Sequence, residues 1–172
     1  MRGYRHLLWA GLLAGLVVVL DQTSKALVTE RIEPGELVNV LGPLDFTVSH
    51  NDGVAFGLAG GGGILVILLA AVALVALGAF IASAPESNLT WISGGLILGG
   101  AAGNLIDRVR IGHVTDFILL PNWPAFNLAD SAITVGVILL AVALIWGEKN
   151  ETAGNDEERP SGEVIDGKPD GT

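Results

Sequence analysis

The chain has 172 residues, of which 51% are hydrophobic and only 16% charged, with a mean hydropathy of +0.59; a soluble domain carries nearer a quarter charged residues, so this is a membrane composition. It has no cysteine and three histidines, which excludes disulfides, thiolate metal sites and a cysteine nucleophile, and no HExxH pair offers a zinc site. Of the net charge of −9, the segment after Gly147 supplies −5, and no stretch is basic enough for nucleic acid.

A bilayer core of roughly 30 Å takes about 20 apolar helical residues, and four segments approach that. Leu7 to Leu20 is uncharged and can lengthen through Asp21 to Val28. Gly53 to Pro85 carries no charge, with a helix predicted from about Gly63 to Ser83. Ser87 to Ile106 is equally charge-free, and Ser131 to Gly147 is the last. The pattern predicts an all-α membrane protein of four transmembrane helices. Arg2 and Arg5 before the first segment, with Ser24-Lys25-Ala26 after it, also fit a cleaved signal peptide; the charges crowding that cleavage point and the three later spans favour an uncleaved helix.

An even number of spans puts both termini on one side, and the basic residues ahead of the first helix predict that this side is cytoplasmic. Trp9, Trp91 and Trp146 fall at that face, as an interfacial aromatic belt does. The opposite face receives Asp21, Lys25, Asn51, Asp52, Asn104, Asp107, Arg108, Asp116, Asn127 and Asp130, a concentration of polar groups unusual for the ends of apolar helices. Between the first two spans, Leu37 to Leu41, Gly42-Pro43 and Asp45 to Ser49 read as strand, turn and strand, a small extracytoplasmic β-structure at the membrane surface. Gly60 to Gly63 reads as a flexible joint. Gly11 with Gly15, and Gly95 with Gly99 and Gly103, form small-residue stripes that let helices approach closely. The membrane domain is predicted over residues 1–147 with an outer loop at about 29–60; the acidic segment 148–172 has almost nothing apolar to bury and is predicted to be a disordered cytoplasmic tail.

The polar groups sort by spacing. Asp21 and Lys25 lie one helical turn apart with the acid first, the favourable order for a pair, and ionisable groups are costly near the bilayer, which argues for a site there. Asn104 and Arg108 share one face of the third helix; Arg108 suits a carboxylate, a lipid phosphate or a substrate carbonyl, or it snorkels to the headgroups as Arg110 is expected to do. Asp116 sits in an apolar, β-branched context. Asp130 opens the fourth helix one turn after Asn127, where a lone Asp is normally a cap, and Ala129 leaves room beside the backbone. Two such carboxylates brought together share a proton and hold a water, because like charges so close do not both ionise. The chain has no GxSxG, its Trp91-Ile-Ser-Gly lacks the glycine of a GxSG, and it has no GxGD. An aspartyl dyad or a transport site remains. A transporter or channel predicts an internal repeat and polar helix midpoints, and the chain has neither; a membrane adaptor leaves the carboxylates without a purpose.

Together, Asp21-Gln-Thr-Ser-Lys25, Asn51-Asp-Gly-Val-Ala-Phe-Gly57, Gly103-Asn-Leu-Ile-Asp-Arg108, Gly112-His-Val-Thr-Asp-Phe-Ile118 and Phe126-Asn-Leu-Ala-Asp-Ser131 resemble the bacterial lipoprotein signal peptidase family, signal peptidase II. The pieces occur in the family's order, and the resemblance covers nearly everything from Asp21 to Ile133. It implies four transmembrane helices with a small extracytoplasmic β-cradle. It also implies a metal-independent aspartyl endopeptidase, without cofactor, that cuts prolipoproteins before a diacylglyceryl-modified cysteine. By position, Asp116 and Asp130 match the family's catalytic pair, while Asp21, Lys25, Asn51, Gly53, Asn104, Arg108, Asn127 and Ala129 match residues that bind substrate or support the site. The implied setting is the bacterial inner membrane, with membrane lipids and lipidated prolipoproteins as partners and a monomeric enzyme. Asp52 and Asp107, on the same face, receive no proton-transfer role.

Overall fold

The computed structural model describes residues 3–53, 62–83 and 87–157. In chain order it contains α1 (Gly3–Arg31), β1 (Val38–Leu41), β2 (Leu44–Asn51), α2 (Gly62–Ser83), α3 (Asn88–Ile111), β3 (Val114–Leu119) and α4 (Leu128–Glu157). Three of the helices are long and apolar enough to cross a membrane, over Arg5–Arg31, Asn88–Ile111 and Leu128–Ile145, and a shorter apolar stretch, Ile67–Ile81, lies in α2. The protein is accordingly an integral membrane protein. Its outward helix faces are apolar, with Leu8, Leu16 and Val19 exposed on α1 and Val72 and Val75 on α2.

α3 is the centre of the bundle, packing against α1, α4 and α2. Its glycines allow this. A Cβ added at Gly99 would stand 2.7 Å from the carbonyl oxygen of Ala14 and from the Cβ of Val17, and one at Gly95 would stand 2.9 Å from the carbonyl oxygen of Ala10. Gly100 faces the Ala129 carbonyl of α4, and Gly94 faces Ile81 of α2. The stripe on α3 therefore packs as its spacing predicts. Gly11 and Gly15 do not: nothing lies within 4 Å of a Cβ built on either. A spacing of four records that two residues share a face, but not whether a neighbour covers it.

The charged segment does not end α3 where apolarity does. The helix starts on Ser87, whose hydroxyl accepts the Thr90 N–H, and continues past Ile106 to a left-handed Gly112 (φ 84°) whose N–H returns to the Arg108 carbonyl. A helix stops at its cap rather than at its first charge, so Asp107 and Arg108 are held in regular geometry. At its other end the fold shows a similar difference. α4 begins at Leu128, earlier than Ser131, and runs to Glu157 rather than ending at Gly147. The first part of the acidic segment is thus helical, through Gly154 and Asn155. Residues 158–172 lie outside the described residues, as do Gly60, Gly61 and the later part of the Asn51–Gly57 motif, whereas Gly62 and Gly63 open α2 rather than forming a joint.

β1 and β2 pair as an antiparallel hairpin, as the strand–turn–strand reading predicts, and a third strand joins them: β3 pairs antiparallel with β2, with Ser49 opposite Asp116, His50 opposite Thr115 and Asn51 opposite Val114. The Val114-Thr-Asp-Phe-Ile segment is that strand, with its β-branched and aromatic residues in their preferred setting. A small core of Val28 from α1, Ile32 just after it, Val48 from β2 and Phe117 from β3 seats the sheet on the end of the first helix, with Phe46 edge-on to Phe117 at 5.7 Å.

The contrast between the two glycine stripes is directly measurable. Gly99→Ala should lower the stability of the purified protein by about 1–3 kcal/mol through overpacking against α1. Gly15→Ala should leave it level or slightly higher, since alanine is the better helix former; denaturation in detergent micelles compares the two.

Candidate active site

Five elements converge below the sheet. β3 supplies Asp116, β2 ends at Asn51, α4 opens with Asn127, Ala129 and Asp130, α3 supplies Asn104, Asp107 and Arg108, and α1 supplies Asp21, Gln22 and Lys25.

Asn127 is the pivot of the two carboxylates. It lies just ahead of α4, its side-chain oxygen accepts the Asp130 N–H (2.9 Å), and the Asp130 carboxylate accepts the Asn127 N–H in return (3.1 Å). This is a capping box, so Asp130 is indeed a cap residue. The same Asn127 turns its amide NH2 to the Asp116 carboxylate at 2.7 Å, and to the side-chain oxygen of Asn104 and the Thr115 carbonyl. Asn127 is fully buried, and these bonds account for both ends of its amide. Each Asp then has a second amide donor: Asn51 to Asp116 at 3.0 Å and Asn104 to Asp130 at 2.7 Å. Asn51 is itself oriented by the N–H of Gly53, which meets its side-chain oxygen at 3.0 Å from a left-handed backbone (φ 70°) that favours glycine.

Asp116 is buried, whereas Asp130 is half-exposed. Burial pushes the Asp116 carboxyl above its ordinary value and the neighbouring Asp130 charge pushes the same way, against the amides of Asn51 and Asn127 and the charge of Lys25. The two carboxylates are thus unlike in environment and joined through one asparagine.

Behind them lies a buried ionic group. The Lys25 ammonium sits 2.9 Å from Asp21, 2.8 Å from Asp107 and 3.1 Å from the side-chain oxygen of Asn104. The Asp21–Lys25 pair is therefore the ion pair its spacing predicts, and Asp107 belongs to the same group although its position gave it no such part. Gln22, which the sequence reading passed over, donates to Asp107 at 2.8 Å and to Asp21 at 3.2 Å; its side chain follows Asp21 by one residue, which periodicity alone places off the Asp21–Lys25 face. Ala129 is fully buried and its N–H meets Asp21 at 3.0 Å. Arg108 stands at the edge of the group, half-buried, donating to the Asn104 carbonyl at 3.3 Å, while Arg110 donates to Gln22 at 3.3 Å. Among the described residues no three or more His, Asp or Glu side chains are grouped as metal ligands, and the partners of these carboxylates are amides, backbone N–H groups and an ammonium.

A family model described as signal peptidase (SPase) II matches residues 13–146. The chain belongs to the signal peptidase II family. A lipoprotein signal peptidase of Moorella thermoacetica is 45% identical over 136 residues, covering 78% of this chain and 91% of that protein. One from Brucella ovis is 39% identical over 155 residues, covering 86% and 96%. A bacterial membrane enzyme solved in meso at 1.9 Å resolution superposes with a TM-score of 0.74 at 34% identity, covering 78% of this chain and 91% of that one. A second, at 2.3 Å, has the same TM-score at 31% identity, covering 89% and 94%. Family membership makes the chain a peptidase, and its family context is the removal of lipoprotein signal peptides.

Because Asn127 both caps α4 and satisfies Asp116, Asn127→Ala should cost about 2–3 kcal/mol of stability, combining a lost cap and a lost buried hydrogen bond. Asn127→Ser, which still caps, should recover about 1 kcal/mol of it. Thermal unfolding in detergent reads both.

Proposed function

We propose that this protein is a membrane aspartyl endopeptidase that cleaves prolipoproteins just before their diacylglyceryl-modified cysteine, with Asp116 and Asp130 as the catalytic pair. The observation that carries the reading is the convergence of these two carboxylates, one from a strand and one from a helix start, on Asn127, whose side-chain amide donates to Asp116 and whose backbone N–H donates to Asp130. Family membership supplies the substrate class.

In this reading the half-exposed Asp130, ionised, takes a proton from a water that attacks the carbonyl preceding the lipidated cysteine. Asp116 holds the other proton, since burial favours its neutral form. It hydrogen-bonds the carbonyl oxygen as charge develops there, then passes the proton to the departing cysteine nitrogen as the carbon–nitrogen bond breaks. The products are the carboxyl end of the signal peptide and the free amine of the lipidated cysteine. Asn51 stands beside Asp116 and Asn104 beside Asp130, each in reach of a substrate backbone or a developing oxyanion. Arg108, whose guanidinium among the described residues donates to one backbone carbonyl, offers its remaining donors to substrate or lipid. Asp21, Lys25, Gly53 and Ala129 hold these groups in place. No metal and no cofactor takes part, and the enzyme acts as a monomer among membrane lipids.

The proposed topology has four spans in the inner membrane. α2 is counted among them because its 22 residues reach about 33 Å at 1.5 Å per residue, enough for the hydrocarbon core. Both termini then lie in the cytoplasm, the side favoured by Arg2 and Arg5, and the sheet and the dyad face the opposite side. The chain up to Gly147 carries every group assigned a part, and the acidic segment after it carries none.

The deciding experiment measures cleavage of a diacylglyceryl-modified prolipoprotein by the purified protein in detergent with EDTA. Asp116→Asn and Asp130→Asn should each fall to background while inserted and folded, because an amide neither takes nor gives the proton, and the double variant should be hardly worse than either. The wild-type pH profile should be a bell whose constants belong to the pair. Its alkaline limb, where the pair loses its shared proton, should lie above the range of a free carboxyl, because burial of Asp116 opposes ionisation. Appreciable cleavage by either single variant would overturn the aspartyl reading.

Arg108→Lys should lower kcat/KM by about tenfold or more, because an ammonium does not reproduce a planar, bidentate guanidinium. Wild-type kinetics for that variant would remove Arg108 from the site.

A further inference from the structure

The buried ionic group has a symmetry that its pairwise contacts do not reveal. Asp107 accepts the backbone N–H of Thr115 at 3.2 Å, and Thr115 is the residue immediately before Asp116. Asp21 accepts the backbone N–H of Ala129 at 3.0 Å, and Ala129 is the residue immediately before Asp130. Between the two carboxylates stands Lys25, 2.8 Å from Asp107 and 2.9 Å from Asp21. All three side chains are at least nine-tenths buried. Gln22 ties them further, donating to both carboxylates. A Cβ on Gly103 would stand 2.6 Å from the Asp21 carboxylate, so α3 leaves room for this arrangement only by lacking a side chain there.

We propose that Asp107 is a positioning residue: with Lys25 and Asp21 it forms a clamp whose two arms hold the backbone on either side of the reaction centre and thereby set the separation of Asp116 and Asp130. The inference rests on the reading of those two residues as the catalytic pair. The strand and the helix start are also joined by backbone hydrogen bonds between Phe126 and both Phe117 and Ile118 and by the side chains of Asn127 and Asn104. The clamp adds main-chain anchors at the residues directly preceding Asp116 and Asp130. Because one ammonium bridges both arms, a shift of either strand or helix is resisted by the other.

The separation matters to the chemistry through electrostatics. The closer two carboxyls stand, the more the first ionisation opposes the second, so the two apparent constants spread and the bell widens. The charges that face the pair are Lys25 and Asp21 from α1 and Asp107 and Arg108 from α3; the sheet side contributes the uncharged Asn51. Asp107→Asn loosens the β3 arm and also removes a negative charge from beside Lys25. Both changes favour ionisation of the dyad, and both move the alkaline limb to lower pH. Asp107→Glu keeps the charge but displaces the carboxylate by a methylene, so it isolates geometry from charge.

The test uses the full-length protein in detergent with a diacylglyceryl-modified prolipoprotein. Asp107→Asn should lower kcat by about tenfold or more with KM within about threefold, and its alkaline limb should fall by roughly half a pH unit or more. Asp107→Glu should show the same loss of kcat and a shift of the same sign. Should either variant fail to insert, Gln22→Leu, which keeps the charge of Asp107 but removes the side-chain amide that donates to Asp107, Asp21 and the Gly103 carbonyl, should give a smaller shift in the same direction. Unchanged kcat and pH profile in the folded fraction of Asp107→Asn would assign Asp107 to stability alone and overturn the clamp. Full recovery by Asp107→Glu would show that only its charge acts, which also overturns it. Asp116→Asn run alongside keeps the two readings apart: its activity bears on the aspartyl mechanism, whatever the Asp107 variants do.

Discussion

The Lys25 side chain is 6% exposed, in the last two turns of a helix otherwise suited to hydrocarbon. An isolated charge in such a place is costly enough to lose its proton or its position; here Asp21 and Asp107 flank it and Asn104 completes its hydrogen bonds. A buried ion group of this kind is weak evidence for stability, because desolvation consumes most of the attraction. What it supplies is geometry. Two carboxylates and an ammonium satisfy one another only in a narrow set of arrangements, and each carboxylate has a lone pair left for a main-chain N–H of another element. The sheet and the fourth helix are thereby referred to the same atom of the first helix.

That ionic group exists because the helices approach closely enough to bury it. On the side of α3 facing α1, glycines at positions 95 and 99 let the backbone of α1 approach, and Gly103 makes room for a side chain; in a membrane such close contact drives association where hydrophobic burial does not. The last of them lies against Asp21 itself. Helix packing and the charged site are in this respect one device: the stripe begins as an apolar seam and ends as the wall of the ion group.

Asn127 shows the same economy in the polar part. It is at once the cap of α4, the hydrogen-bond donor to Asp116 and a partner of Asn104. A residue that terminates a helix is fixed in rotamer by that task, so the carboxylates it touches inherit its rigidity. Asp116 is buried and Asp130 partly exposed, so two chemically identical side chains stand in different environments.

Much of this was legible in the chain itself. Apolar run lengths mark the helices, Gly42-Pro43 between β-prone runs marks the hairpin, and five short motifs in order mark the signal peptidase II family. These are local properties, set by a few neighbouring residues. Asp21 with Lys25 is local too, one turn of one helix. The third strand was less legible, because Val114 to Leu119 becomes a strand only where β2 offers it an edge. The packing of Gly95 and Gly99 but not of Gly11 and Gly15 depends on which face meets a neighbour. Asp107 and Gln22 were invisible as members of the site for the same reason: their partners are 85 residues apart in sequence, and only helix crossing brings them within hydrogen-bond distance. Sequence spacing determines which side chains share a face of their own element; what that face meets, and hence which carboxylates are paired, capped or left to react, is decided by tertiary packing.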